Sequence, residues 1–248
     1  MILSQHCPSC DQMVSQNDSR CMICAYPLQG QKQHGVTIAP AVRPKIQVEV
    51  CTAVTVDRTG SSQQFAIGIP KTAGIIFEQV ATKARSTRYW VQSHGDLDCN
   101  EQPILLTDGG TAEQAIHDIN KIVYGGGGDA EEHHLDAIEN LLKTVSWPVD
   151  KHRARGAMIA FLTADSKPAR SRRKAQQIGE EIRAREILLY LVCEPTATLT
   201  KLVNAASGLM FTITNSPNPK ELQKIAGQLA ASIVASVSKG STVPLSVA

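Results

Sequence analysis

The 248-residue chain is poor in aromatics: four Phe, four Tyr and two Trp make up 4% of it. That leaves little of the large aromatic surface that all-β sandwiches use, and favours an aliphatic α/β core. Charge of one sign is also missing. Lys and Arg number 25 against 23 Asp and Glu, a net +2, so no global field recruits nucleic acid or membrane. No apolar run approaches the roughly 20 residues of a membrane-crossing helix. The N-terminus (Ser4, Gln5, His6, Cys7) is polar and unlike a secretion signal. These absences lead to the expectation of a soluble, cytoplasmic protein.

What is there begins with cysteine. Four of the seven fall in one short segment as Cys7-x2-Cys10 and Cys21-x2-Cys24; Cys51, Cys99 and Cys193 are scattered. The odd count and the clustering argue against a secreted disulfide framework. Two CxxC knuckles offer four thiolates for tetrahedral Zn²⁺, and so small a segment takes its folding free energy from the metal. Residues 1–28 are therefore expected to form a zinc ribbon, and they resemble the short ribbons at the ends of prokaryotic multidomain proteins. Arg20, Lys32 and Tyr26 are the basic and aromatic residues in or near it, fewer than a nucleic-acid platform carries. Residues 29–45, rich in Gln and Gly with Pro40 and Pro44, read as a linker.

From residue 46 strands and helices alternate. Ile46 to Val56 is a strand whose second half is wholly apolar, as in a buried parallel sheet. Ser62 to Ala84 reads as a helix that Pro70 kinks or starts. Arg88–Ser93 and Pro103–Thr107 are strands, the latter antiparallel because its connection is too short for a crossover helix. Between them His94-Gly-Asp96-Leu-Asp98 reads as a turn. Thr111 with Gln114 caps one helix, and Asp129 with Glu132 is expected to cap the next. Gly156–Thr163 is a buried strand, Ser171–Ala184 a basic helix, Ile187–Cys193 a strand, Thr198–Ala206 a helix and Leu209–Thr214 the last strand. Asn218-Pro219-Lys220-Glu221 opens the final helix. Residues 239–248 are expected to be a loose tail. The adjacent His133 and His134, beside Glu131 and Glu132, would point about 100° apart on a helix and read as a surface cluster.

The first strand runs into Asp57-Arg58-Thr59-Gly60-Ser61-Ser62. Within three positions, apolar strand residues give way to a carboxylate and hydroxyls at +2 and +4. One hard acid with neutral hydroxyls suits Mg²⁺ or Mn²⁺. A parallel sheet gathers the loops at its C-terminal edge whatever their spacing in sequence. Two further loops are expected there: Gly125-Gly126-Gly127-Gly128-Asp129, and Thr163-Ala164-Asp165.

With those three loops the chain from about residue 46 to 238 resembles a von Willebrand factor A (vWA) domain. That family has a metal-ion-dependent adhesion site made of an Asp-x-Ser-x-Ser turn, a Thr in a second loop and an Asp after the fourth strand. Here the turn is Asp57-x-Thr59-x-Ser61, and Asp165 matches the third loop. The second loop departs, with Asp129 where others place Thr; it binds metal directly, binds through water, or caps the helix. The resemblance implies a doubly wound, mostly parallel Rossmann-like α/β sheet with helices on both faces. It also implies a non-enzymatic binding role, in which an acidic residue of a protein partner completes the metal's coordination. With the zinc ribbon, the chain is similar to bacterial vWA proteins of tellurite-resistance and related stress systems. Arg58, Lys167, Arg170, Arg172 and Arg173 are candidate rim residues for an acidic partner, against a solvated helix face.

A competing class shares the first turn. Asp57-Arg58-Thr59-Gly60-Ser61 also resembles the Asp-Lys-Thr-Gly-Thr turn of haloacid-dehalogenase-like phosphotransferases, where the Asp is a nucleophile. That chemistry needs a second acidic pair after a later strand, and Asp165 is followed by Ser166 and Lys167. The glycine run lacks the Lys-Ser/Thr of a P-loop.

Overall fold

The computed structural model describes residues 4–6, 13–15, 46–66, 68–213 and 218–247. The chain divides into two compact units, residues 1–44 and 45–248. In the first, strands β1 (Ser4–His6) and β2 (Met13–Ser15) pair antiparallel, with Gln5 opposite Val14. The expected zinc ligands Cys7, Cys10, Cys21 and Cys24 lie outside the described residues.

The second unit is a mixed α/β layer structure. Its strands are β3 (Ile46–Asp57), β4 (Ala84–His94), β5 (Ile104–Gly110), β6 (Ala154–Phe161), β7 (Ile187–Val192) and β8 (Leu209–Phe211). They form one six-stranded sheet in the order β5-β4-β3-β6-β7-β8. Only β5 runs antiparallel to its neighbour; the other pairs are parallel. Among the described residues six α-helices cover it: α1 (Gly68–Ala81), α2 (Ala112–Ile119), α3 (His134–Thr144), α4 (Ala175–Ala184), α5 (Ala197–Ala206) and α6 (Pro219–Ser238).

Two apolar layers follow from the period-2 alternation of a strand. Val50, Val54 and Val56 of β3 join Ile76, Phe77, Ile119, Leu229 and Ile233 beneath α1, α2 and α6. Cys51 and Ala53, one register over, join Leu135, Ile138, Ile178 and Leu199 beneath α3, α4 and α5. A strand buried on both faces loses the in-and-out alternation, and the second half of β3 is buried throughout, its Thr52, Thr55 and Asp57 included.

Helix starts follow their local chemistry. Thr111 accepts a hydrogen bond from the Gln114 amide, and Asn218 one from the Glu221 amide with Pro219 in the first turn. Four expectations are corrected. The helix expected over 62–84 is a short 3-10 helix, Gly60–Phe65, followed by α1, and Pro70 lies in the first turn of α1. Asp129 and Glu132 cap nothing: the N-cap of α3 is His133, because Glu132 is held in an extended bridge to Ser166. The basic helix expected from 171 starts at Ala175, since Arg172 adopts a left-handed conformation (φ 64°) that breaks it. Lastly, the tail is not loose over its described length. Ser232 and Ser236, both buried in α6, bind the Leu245 carbonyl and amide at 2.6 and 2.8 Å.

Phe77 is fully buried and stacks on Tyr89 with ring centres 4.6 Å apart. Phe77→Ala should lower unfolding free energy by about 3–5 kcal/mol, read by urea denaturation; a loss under about 1 kcal/mol would mean that this layer is not packed as described.

Candidate metal centre

The strand order reverses between β3 and β6, and at such a switch point the C-terminal ends of parallel strands open a crevice. Asp57 closes β3 there, and Thr163 follows the end of β6. Both Asp57 oxygens are engaged. Oδ1 accepts from the Thr59 amide at 2.9 Å and the Thr59 hydroxyl at 2.8 Å; Oδ2 accepts from the Thr163 hydroxyl at 2.5 Å. Ser61 Oγ lies 3.0 Å from Thr59 Oγ1 and 3.1 Å from Thr163 Oγ1, and Ser62 Oγ lies 3.0 Å from Thr163 Oγ1. One buried carboxylate is thus ringed by four hydroxyls.

The glycine loop docks on this turn through its backbone. Gly60 N–H donates to the Gly126 carbonyl at 3.0 Å and Gly125 N–H to the Arg58 carbonyl at 2.8 Å. Gly126 and Gly127 adopt φ of 84° and 80°, a region that favours glycine. A Cβ on Gly127 would meet Glu132 Oε1 and Thr59 Cβ, each at 3.2 Å. The missing side chain therefore leaves room for the Glu132 carboxylate beside Thr59.

Glu132 is the residue that sequence reasoning missed. It is 2% exposed. Its amide donates to the Asp165 carbonyl at 3.1 Å and its own carbonyl accepts from the Lys167 amide at 2.8 Å. Among the described residues its Oε2 has no hydrogen-bond partner. Burial, then the charges of Asp57 and Asp96, push its carboxyl up to about 8. The surface cluster expected at 131–134 is accordingly corrected: Glu132, His133 and His134 are all buried. Thr163 and Ser62 were legible only as neighbours of the motif.

The other expected ligands are placed differently. Asp165 Oδ1 accepts from the Thr196 hydroxyl at 2.6 Å and the Ser166 amide at 2.8 Å. Asp129 is more than half exposed and pairs with Lys167 at 3.0 Å. Among the described residues, the trio of acidic or imidazole groups with ligand atoms within 4.8 Å is Asp96, Asp98 and His133; Asp57, Asp129 and Asp165 form no such trio. The Lys167 ammonium already lies 3.0 Å from Asp96 and 2.8 Å from Asp98. A cation of the chain thus already occupies that cluster, and Lys167 is not a free rim charge. Arg170 pairs with Asp98 at 3.1 Å, and Arg173 with Glu139 at 3.0 Å and Glu181 at 2.7 Å. Arg172 is exposed and Arg58 half-buried.

Behind Asp57 runs a buried polar chain. Thr55 Oγ1 lies 2.9 Å from His94 Nδ1, and His94 Nε2 lies 2.9 Å from His134 Nδ1. Gln92 donates to Thr55 at 3.0 Å and accepts from Asn140 at 2.5 Å. Burial takes His94 down to about 3 and also lowers His134. Both imidazoles are neutral at pH 7. For Asp57, burial opposes ionisation; the hydrogen bonds that the Thr163 hydroxyl and the Thr59 amide donate hold the carboxyl below its usual range.

The VWA domain of SpRpn10 superposes with a TM-score of 0.56 at 14% identity, over 74% of this chain and 95% of that one. The chain has the VWA fold. Proximal thread matrix protein 1 (PTMP1) from the mussel byssus superposes with a TM-score of 0.55 at 12% identity, over 77% of this chain. The match spans about half (47%) of PTMP1. No protein-family model matches the sequence, and no curated protein is significantly similar to it. Within the VWA fold the Asp57 ring occupies the C-terminal edge of the sheet, and no described helix is long and apolar enough to cross a membrane.

The neutral histidines make stability depend on pH. Their folded pKa lies below the unfolded value of about 6.5, so their contribution is complete above that value and is lost as pH falls toward the folded one. His94 alone should remove about 2 kcal/mol between pH 7 and pH 5. Glu132, whose carboxyl is raised, works in the opposite sense over this range, so the His94 contribution is read by urea denaturation of the chelator-treated protein as the difference in pH dependence between wild type and His94→Gln. The same pH dependence in both proteins would contradict a buried neutral His94.

Proposed function

We propose that the chain is a metal-ion-dependent protein-interaction module. The observation that carries this is the ring of Thr59, Ser61, Ser62 and Thr163 hydroxyls around one buried, ionised Asp57 at the sheet's switch point. The fit to a divalent cation rests on donor chemistry. All the groups are hard oxygens, the set suited to Mg²⁺ or Mn²⁺, and among the described residues the buried Glu132 Oε2 has no hydrogen-bond partner. Asp57, Thr59, Ser61 and Thr163 would hold the ion, with Asp165 and Asp129 on the surrounding loops. When bound, the ion supplies an electrophilic position that a partner's Glu or Asp oxygen occupies.

The chain's own residues do the rest. The Thr59 amide and hydroxyl orient Asp57, and the buried Thr55–His94–His134 chain supports the edge from behind. Arg58 and the exposed Arg172 remain as rim charges for an acidic partner. The phosphotransferase reading finds no support in the geometry. That chemistry needs a second acidic pair after a later strand, and Asp165 is followed by Ser166 and Lys167. We read residues 1–28 as a Zn²⁺ ribbon joined by a linker, 29–45, to the VWA-fold domain, 46–238. In that reading the protein is a cytoplasmic scaffold or regulatory component of a multi-protein system, of the kind its tellurite-resistance-like resemblance suggests, with a protein partner favoured over the alternative of a zinc-ribbon nucleic-acid adaptor.

The test is a pull-down from lysate in Mg²⁺ or in chelator, with wild type and Asp57→Ala. Wild type should retain partners only in Mg²⁺, and Asp57→Ala should lose them at least about tenfold. Recovery of the same partners by both proteins, or in chelator, would remove the metal-site reading.

A further inference from the structure

We infer that Glu132 is a ligand of the same ion: a carboxylate from this chain that balances the metal's charge together with Asp57. The inference rests on the proposed metal-dependent reading of the Asp57 site and deepens it.

A buried carboxylate oxygen without a partner is costly, more so when charged. A bound ion is one of the few things that satisfy such a group in a folded protein. Glu132 is built to stay where it is. Its amide and carbonyl are both tied to the 165–167 loop, and that bridge to Ser166 keeps it out of α3. Its Oε1 lies in the space left by Gly127, where an added Cβ would be 3.2 Å from it and equally close to Thr59. The carboxylate therefore lies on the Thr59 side of the glycine loop, and its Oε2 is out of solvent. The nearby ammonium of Lys167 does not serve it, because its bonds go to Asp96, Asp98 and Asp129.

Charge decides the consequence. Asp57 alone leaves a divalent ion with one uncompensated positive charge, which an acidic partner group would neutralise. Asp57 and Glu132 together make the ion neutral before any partner arrives. The site then holds its metal without a partner, and an acidic group from outside competes with Glu132 for its place on the ion.

The test titrates Mn²⁺ alone into the chelator-treated full chain by calorimetry, for wild type, Glu132→Gln, Glu132→Asp and Asp57→Ala. The melting temperature of each is recorded with and without Mn²⁺. Glu132→Gln should weaken Mn²⁺ binding about tenfold or more and shrink the Mn²⁺-induced rise in melting temperature. Glu132→Asp, which keeps the charge on a shorter arm, should fall between, and Asp57→Ala should abolish binding. Wild-type affinity in Glu132→Gln, with binding lost in Asp57→Ala, would overturn the inference and leave the proposed function standing. Wild-type affinity in Asp57→Ala would overturn both. A purely structural Glu132 would lower the metal-free melting temperature of its variants and leave the Mn²⁺ increment unchanged. If Glu132→Gln does not fold, Glu132→Asp carries the same comparison, and an unchanged affinity and increment there overturns the inference.

Discussion

The hydrogen bond from Thr163 to Asp57, 2.5 Å long, is the contact on which the site depends. It crosses the point where the sheet reverses its order, joining the ends of two adjacent parallel strands. Everything else at the edge is arranged about it. The Thr59 turn closes on one oxygen of Asp57, the glycine loop lies over that turn through backbone bonds, and Glu132 fills the space that Gly127 leaves. The carboxylate stays ionised in a buried setting because hydroxyl and amide donors replace the water it has lost.

Beside this ring lies a second, self-contained charge cluster. Asp96, Asp98 and Asp129 converge on Lys167, and His133 binds Asp96 at 2.8 Å. Lys167 joins three segments: the turn after β4, the end of the glycine loop and the loop after β6. Two neighbouring acidic sites are thus treated differently. One already holds a cation the chain provides; the other has one carboxylate satisfied by hydroxyls and a second with an unmet oxygen. That contrast is the physical reason for placing the ion at Asp57 and not at Asp96.

Much of this was legible in the sequence. The apolar β-branched run ending in Asp57 marked a central parallel strand, and the short 94–103 connection marked β5 as antiparallel. The caps at Thr111 and Asn218 were readable because capping is local chemistry. What the sequence could not show is non-local. Glu132 looked like the third residue of a capping box until its backbone bridge to Ser166 took it out of the helix. Arg172 and Arg173 looked like a basic helix face. A left-handed turn at Arg172 and the acids Glu139 and Glu181 on two other helices decide otherwise. Asp129 was aligned by loop position, but its partner is Lys167, 38 residues on in sequence.

The central claim is that a divalent ion sits between Asp57, its hydroxyl ring and Glu132. Anomalous diffraction from crystals soaked in Mn²⁺ tests it most directly. The account predicts one strong peak within coordination distance of Asp57 or its hydroxyl neighbours, with the Lys167 ammonium still on Asp96 and Asp98. A peak on Asp96, Asp98 and His133 with Lys167 displaced, or none at Asp57, would contradict it.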